Sequence, residues 1–215
     1  LVSLSAVQFL NGFRLDLEKV GELCRARNVM LNLDAIQLLG ALHLDVSRYH
    51  IDFLSAGGHK WLMAPIGTGI FYCRRSSLAK LHPINIGYHS VDKSEDDINY
   101  DLTFKPHAGR FEEAIVNFPG VWGLNAAIDM ITRLGTLPIE QHILELTRFL
   151  NQFQRGSDIG LGGVVMPLDG DQGRGCIGAR GALIALPPAP PPRADQLVLV
   201  HKNHFARFRV HNFIA

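Results

Sequence analysis

Two residues in this chain stand where their types and surroundings could do chemistry. Asp34 closes the apolar run 29–33 (VMLNL), and Lys60 follows the run 51–56 (IDFLSA) across Gly57, Gly58 and His59. Each reads blandly alone. An aspartate at a strand end is usually a turn-former or a helix cap, and a lysine after two glycines is usually a solvated side chain. His59 alone reads as a packed or hydrogen-bonding histidine, Gln37 alone carries no signal, and paired glycines mark a turn or a close backbone approach. Together they say more. A neutral lysine amine condenses with carbonyls to form imines. Pyridoxal phosphate is an aldehyde cofactor that needs such a lysine, together with an acid that keeps its pyridine nitrogen protonated so that the ring draws electrons. An aspartate and a lysine at neighbouring strand ends meet both demands. The glycines leave room for ring and phosphate, and the histidine can contact either.

The elements that must carry these residues follow from periodicity. Residues 2–7 (VSLSAV) read as a strand, and Asn11-Gly12 as the turn after it. Asp16 stands at an N-cap position, and Leu17, Val20, Leu23 and Cys24 make one apolar helix face that ends near Asn28. The run 29–33 suits a strand covered on both faces, which completes a βαβ unit. Strands are further expected at 51–56 and 69–74. A short helix capped by Ser76 or Ser77 follows, and then a long irregular excursion over 85–110. Helices are expected over 119–133 and 139–153. After Gln154 the chain turns glycine-rich (156–181), with a strand at 182–186, a polyproline stretch at 187–192 and weak strands at 196–200 and 208–213. A domain boundary is expected near residue 135. Ligands of open α/β sheets bind at the carboxyl ends of the strands, where Asp34 and Lys60 both fall.

Composition narrows the function classes. The 215 residues are 47% apolar and 19% charged, enough to repay ordering by burial. The net charge of +1 supplies no field for a polyanion, so nucleic acid is not an expected partner. Apolar runs such as 183–192 are short and broken by proline, so no membrane-spanning helix is expected. Cys24, Cys73 and Cys176 are odd in number and widely spaced. They read as reduced thiols in a cytoplasmic protein and supply no zinc spacing. No basic-then-apolar leader opens the sequence, and Leu1 in place of methionine suggests a piece of something longer. No G-x-G-x-x-G or Walker loop follows a strand, which counts against other nucleotide-binding α/β proteins.

The stretch DAIQ at 34–37, followed by DFLSAGGHKWLMAPIGTGIFYCRR at 52–75, resembles the class V aminotransferase family of pyridoxal-phosphate enzymes. RFEEAIVNFPGVWGLNAAIDMI at 110–131 is similar to the family's RFE-x-G-T-x-N segment and its following helix. The opening LSAVQFLNGFRLDL also fits, with epimerase-like members nearest. The likeness covers residues 1 to about 150. It implies an α/β fold in which 1–135 are the C-terminal portion of a fold-type-I large domain, a mainly parallel sheet with flanking helices. Residues 136–215 would then be an abbreviated C-terminal small α+β domain. It implies pyridoxal 5'-phosphate as cofactor, a small amino-acid substrate, α-carbon chemistry and a homodimer whose sites are shared between subunits. Residue by residue, Lys60 becomes the Schiff-base (internal aldimine) lysine and later the base that moves the substrate α-proton. Asp34 pairs with the pyridinium nitrogen, Gln37 donates to the ring's phenolate oxygen, and His59 lies beside phosphate or ring.

Departures from the family pattern set a second reading beside the first. Where desulfurases carry a phosphate-binding serine three residues before the lysine, this chain has Gly57. Where the family's partner-subunit threonine stands, it has Ile115, preceded by Ala114 in place of glycine. The family's phosphate-cradling loop and ring-stacking residue precede the portion matched. Cys176 does not sit in the desulfurase cysteine motif and reads as structural, so desulfurase activity is not expected. Arg207 or Arg209 could clamp a substrate carboxylate. The alternative is a truncated, non-catalytic relative that retains the scaffold.

Overall fold

A computed structural model describes residues 1–93 and 101–156. The expectations for 157–215, including the C-terminal strands, Cys176, Arg207 and Arg209, lie outside the described residues. Four strands form one sheet: β1 (Val2–Ser5), β2 (Leu31–Asp34), β3 (Phe53–Gly57) and β4 (Gly69–Cys73). Their spatial order is β1-β2-β3-β4. The first three run parallel and β4 returns antiparallel on β3. One βαβ unit is present, with α1 (Leu17–Ala26) as its crossover, but the rhythm does not continue: the chain passes from β2 to β3 through turns, without a helix.

The period-2 geometry of strands sorts the side chains into two faces. Leu31, Leu33, Leu54, Ala56, Ile70 and Tyr72 point to one face and are buried in the main core. Each fully buried leucine or isoleucine there contributes roughly 1.5–3 kcal/mol relative to exposure. On the opposite face the register lines up Ser3 with Asn32 and Ser5 with Asp34, and Asp34 with Ser55. The run 29–33, expected to be covered on both faces, is covered by the core on one. Asn32 and Asp34 are half-buried on the other face, and Asn32 Nδ2 donates to Ser3 Oγ at 2.8 Å.

The helices follow from caps and apolar stripes. Asp16 caps α1, its carboxylate accepting from the Lys19 amide at 3.2 Å, and Leu17, Gly21 and Cys24 are buried. Gly21 is required by close approach, because a Cβ there would meet the Tyr49 carbonyl oxygen at 2.1 Å. Helix α2 (Phe118–Leu134) is capped by Asn117, which accepts from the Gly120 amide at 3.1 Å. Of the face its spacing predicts (Val121, Leu124, Ala127, Ile128 and Ile131) it buries all but Val121, which is half-buried. It stops at Gly135, whose φ of +84° suits glycine. Helix α3 (Thr136–Gly156) begins at once, and its Ile139 and Ile143 pack on the main core. Glu140 ties the same end down, accepting from Arg14 Nη1 at 2.6 Å and from the His43 amide at 2.9 Å. Among the described residues no helix is long and apolar enough to cross a membrane.

One local expectation needs correction. Neither Ser76 nor Ser77 caps the segment after β4, which is a 3-10 helix (Arg75–Lys80) without a side-chain cap. Ser77 Oγ is drawn away to Asp52 Oδ1 at 2.6 Å. The excursion expected over 85–110 is irregular where described. It carries two short 3-10 turns (Tyr88–Ser90 and Ala108–Phe111) and a bridge between Val91 and Phe104. It covers the second sheet face over β3 and β4, where Phe53, Cys73 and Ala108 are buried beside Phe71, Leu78, Leu81 and Phe111.

Candidate functional site

Parallel strands end in step, so β1, β2 and β3 deliver their following residues to one edge of the sheet. Asp34 is the last residue of β2 and pairs in register with Ser55 of β3. Its Oδ2 accepts from Ser5 Oγ at 3.2 Å, and its Oδ1 accepts from the Ile36 amide at 3.0 Å. Both donors are neutral. A carboxylate has about four lone-pair positions, so Asp34 keeps acceptor capacity on the side that faces solvent space.

Gln37 lies three residues on, in the turn that follows β2. Its amide nitrogen Nε2 is buried and meets no acceptor among the described residues. A buried donor left without a partner costs about 1–3 kcal/mol, which marks a place where an acceptor belongs.

The lysine loop leaves β3 through Gly57 and Gly58. The Gly58 amide donates to the Thr68 carbonyl at 2.8 Å, and its own carbonyl accepts from the Ala64 amide at 2.8 Å. A Cβ at Gly58 would strike Thr68 Oγ1 at 2.3 Å, so this turn closes only on glycine. Thr68 Oγ1 in turn donates to the Pro65 carbonyl at 2.6 Å. Lys60 emerges half-buried from this tied loop, with its Nζ 4.9 Å from the centroid of the Phe9 ring. His59 is exposed, and its ring folds back over Gly57, where a Cβ would lie 2.9 Å from His59 Cε1.

Beside this edge runs an open groove of about 750 Å³. Asp34 and Ile36 form one wall, Gly57 and Gly67–Phe71 the floor, and Glu112–Asn117 the opposite rim. Lys60, Gln37 and His59 do not line this groove. The structure thus brings Asp34 to the groove, and it brings Gln37, His59 and Lys60 to the same strand-end edge outside it. Ile115 stands on the rim at 88% exposure, with no hydrogen-bonding capacity.

Sequence reasoning missed Ser5, which orients Asp34, and Phe9, which meets Lys60. The signal for Ser5 was the period-2 alternation of VSLS once β1 is set against β2. The signal for Phe9 was an aromatic placed in a turn directly after a parallel strand. Among the described cysteines, Cys24 and Cys73 are buried free thiols. Burial pushes the Cys73 thiol up to about 11, which holds it protonated and unreactive. Chemically, the edge offers one amine, one carboxylate with spare capacity and one unsatisfied amide donor, within the reach of two neighbouring strand ends.

Comparison with known proteins places this geometry. The sequence profile of the Aminotransferase class-V family matches residues 1–157. A protein named "Probable cysteine desulfurase" from Methanothermobacter thermautotrophicus is 32% identical over 152 residues, covering 70% of this chain and 37% of that protein. One of the same name from Chlamydia muridarum is 33% identical over 178 residues, covering 82% of this chain and 42% of that protein. A solved structure of a C-DES mutant, with glycine covalently linked to its PLP cofactor, superposes with a TM-score of 0.67 at 26% identity. It covers 80% of this chain and 44% of that one. The chain thus spans about two fifths of the length of these relatives.

Proposed function

Because the chain belongs to the class V aminotransferase family, we propose that it is the core of a pyridoxal-phosphate-dependent enzyme acting at the α-carbon of an amino acid. The observation that carries this reading is the common sheet edge. Asp34 at the end of β2, Gln37 with its unsatisfied amide and Lys60 beyond β3 lie at adjacent strand ends. These residues fit the cofactor. Asp34 has an acceptor to spare for a protonated ring nitrogen, and Gln37 Nε2 has a donor to spare for a phenolate oxygen. The Gly57-Gly58 turn brings backbone close to where a phosphate would rest, with the His59 ring over it. Bound there, pyridoxal phosphate supplies an electron sink for the pair left at a substrate α-carbon.

In this reading the chain's own groups divide the work. Lys60 would hold the cofactor through its amine, and its free amine is the base that removes and returns the proton at the substrate α-carbon. Asp34 keeps the ring nitrogen protonated, and Ser5 keeps Asp34 oriented. The named relatives point to cysteine or a related sulfur amino acid as substrate class. That revises the sequence-based leaning toward epimerase-like members. The thiols of Cys24 and Cys73 are buried and do not serve as sulfur acceptors. Carbon–sulfur cleavage that needs no described cysteine therefore suits the described residues better than sulfur transfer to one of them.

The apolar surface at Ile66, Ile115, Phe118 and Trp122 around the groove supports the homodimer. Free thiols at Cys24 and Cys73 support a cytoplasmic setting.

The test is direct. The protein is mixed with pyridoxal phosphate, reduced with borohydride and digested. One cofactor mass is expected on the peptide carrying Lys60, and none in Lys60→Ala. Failure to label Lys60 at saturating cofactor would overturn the reading and favour the scaffold-only alternative. Light scattering that finds only monomer would remove the dimer.

A further inference from the structure

Phe9 is an anomaly in the bare accounting of burial. It is 79% exposed, and Leu10 beside it is 92% exposed, yet the turn that carries them is tightly built. The Gly12 amide donates to the Gln8 carbonyl at 2.8 Å, and the Gln8 amide donates to the Phe13 carbonyl at 2.9 Å. The Phe13 amide donates to Asn11 Oδ1 at 3.0 Å. Gly12 takes the positive φ of +69° that closes the turn. Below it Val7 and Arg14 form an antiparallel bridge, and Arg14 is fixed to Glu140 of α3 at 2.6 Å. A turn braced in this way holds an aromatic ring in a set place in open solvent, where burial gives it no reward.

The sheet order shows what that place is. Phe9 follows β1 and Lys60 follows β3, and β2 lies between them. A contact between the two therefore spans the carboxyl end of β2, the strand that ends in Asp34. Lys60 Nζ sits 4.9 Å from the ring centroid, inside the range for a cation over an aromatic face. Among the described residues no carboxylate forms an ion pair with that nitrogen. A lysine has four rotatable side-chain bonds, and without a dock its amine sweeps a wide volume.

Resting on the reading of Lys60 as the imine-forming amine, we propose that Phe9 is a positioning residue. Its ring face holds the Lys60 ammonium across the end of β2, the strand that Asp34 closes. The ring acts only through Lys60, whose amine it contacts. The Arg14–Glu140 pair acts one step further back, fixing the base of the turn to α3.

The experiment compares wild type, Phe9→Tyr and Phe9→Leu in the full chain. Leucine keeps apolar bulk and removes the π face; tyrosine keeps the face. Two quantities are read. One is the proton chemical shift of the Lys60 ε-methylene, which a ring held over it moves upfield. The other is the rate at which limiting pyridoxal phosphate is trapped on Lys60 by borohydride. Wild type and Phe9→Tyr should share the upfield shift and the trapping rate. Phe9→Leu should lose the shift and trap roughly two- to five-fold faster, because the ring face favours the ammonium over the neutral amine that forms the imine, by the factor that an exposed cation–π contact is worth. All three should melt at the same temperature, since the ring is exposed. An upfield shift retained in Phe9→Leu, or equal trapping in all three proteins, overturns the proposal. If wild type traps nothing on Lys60, the cofactor reading fails. The shift pattern then decides alone: lost only in Phe9→Leu it supports Phe9 as the dock, and in any other pattern it overturns it.

Discussion

Two aspartates, Asp34 and Asp52, stand at opposite ends of the same sheet and are used in opposite ways. Asp52 precedes β3 at the amino edge. Its Oδ2 accepts from the Leu31 amide at 3.0 Å, and its Oδ1 accepts from Ser77 Oγ at 2.6 Å and faces Arg74 Nε at 3.5 Å. Arg74 also donates to the Ile51 carbonyl through Nε at 3.1 Å and Nη2 at 2.9 Å. This carboxylate is spent on structure: it ties β2, β3 and the segment after β4 together. Among the described residues, Asp34 at the carboxyl edge has two neutral donors and no cation, with a groove in front of it. Partner count, more than residue type, separates a staple from a ligand-binding group.

Substitutions at the two ends should separate their roles. Asp52→Ala leaves the Leu31 amide, Ser77 Oγ and the Arg74 guanidinium short of a partly buried acceptor. It should cost about 3 kcal/mol in urea denaturation. Asp34→Ala should cost only about 1 kcal/mol, yet weaken pyridoxal phosphate retention on Lys60 at least roughly tenfold, read by equilibrium dialysis. Equal stability losses at both positions would erase the distinction.

The glycines of the lysine loop sharpen the same contrast. Gly58→Ala drives a methyl into Thr68 Oγ1 and, at 3.0 Å, the Ala64 Cβ. It should destabilise by about 1–3 kcal/mol. Gly57→Ser meets only movable side chains, the His59 ring and, at 3.1 Å, Ile36 Cδ1. It should leave the melting temperature within about 2 °C, and by offering a hydroxyl it should tighten cofactor binding a few-fold.

The smallest effect is a pH dependence at the covered end of the sheet. Burial first, with the nearby Asp52 carboxylate adding to it, raises the Cys73 thiol to about 11 against the opposing pull of Arg110. The folded state therefore holds its proton above the pH at which the unfolded thiol releases it. The stability this contributes is complete below about pH 9 and is lost as pH rises toward 11. Urea midpoints should fall across that window, and Cys73→Ala should flatten the fall. Iodoacetamide at pH 8 should leave Cys73 unmodified until the chain unfolds.

Much of the fold was legible because local signals agreed with the final packing. Asp16 caps its helix as its residue type predicts; Asn117, which the sequence reading did not single out, caps α2 in the same way. The stripe Leu124, Ala127, Ile128 and Ile131 becomes the buried face of α2, and Gly135 ends it. The strand boundaries moved by one or two residues, as at β2, where Asn28 at φ +51° delays the extended chain. The Ser77 cap failed because a charged acceptor, Asp52, outbids a helix end for the same hydroxyl; nothing near residue 77 in the sequence reveals it.

By itself the sequence determined which residue types could act and that the chain opens with a strand, a helix and a strand, because caps, periodicity and glycine act over a few residues. Only the tertiary structure decided that Asp34 faces a groove while Asp52 is consumed, that Gln37 meets no acceptor among the described residues, and that Phe9 reaches Lys60. Those facts depend on strand order and register, which bring together groups separated by 20 to 50 residues through contacts that no local pattern encodes.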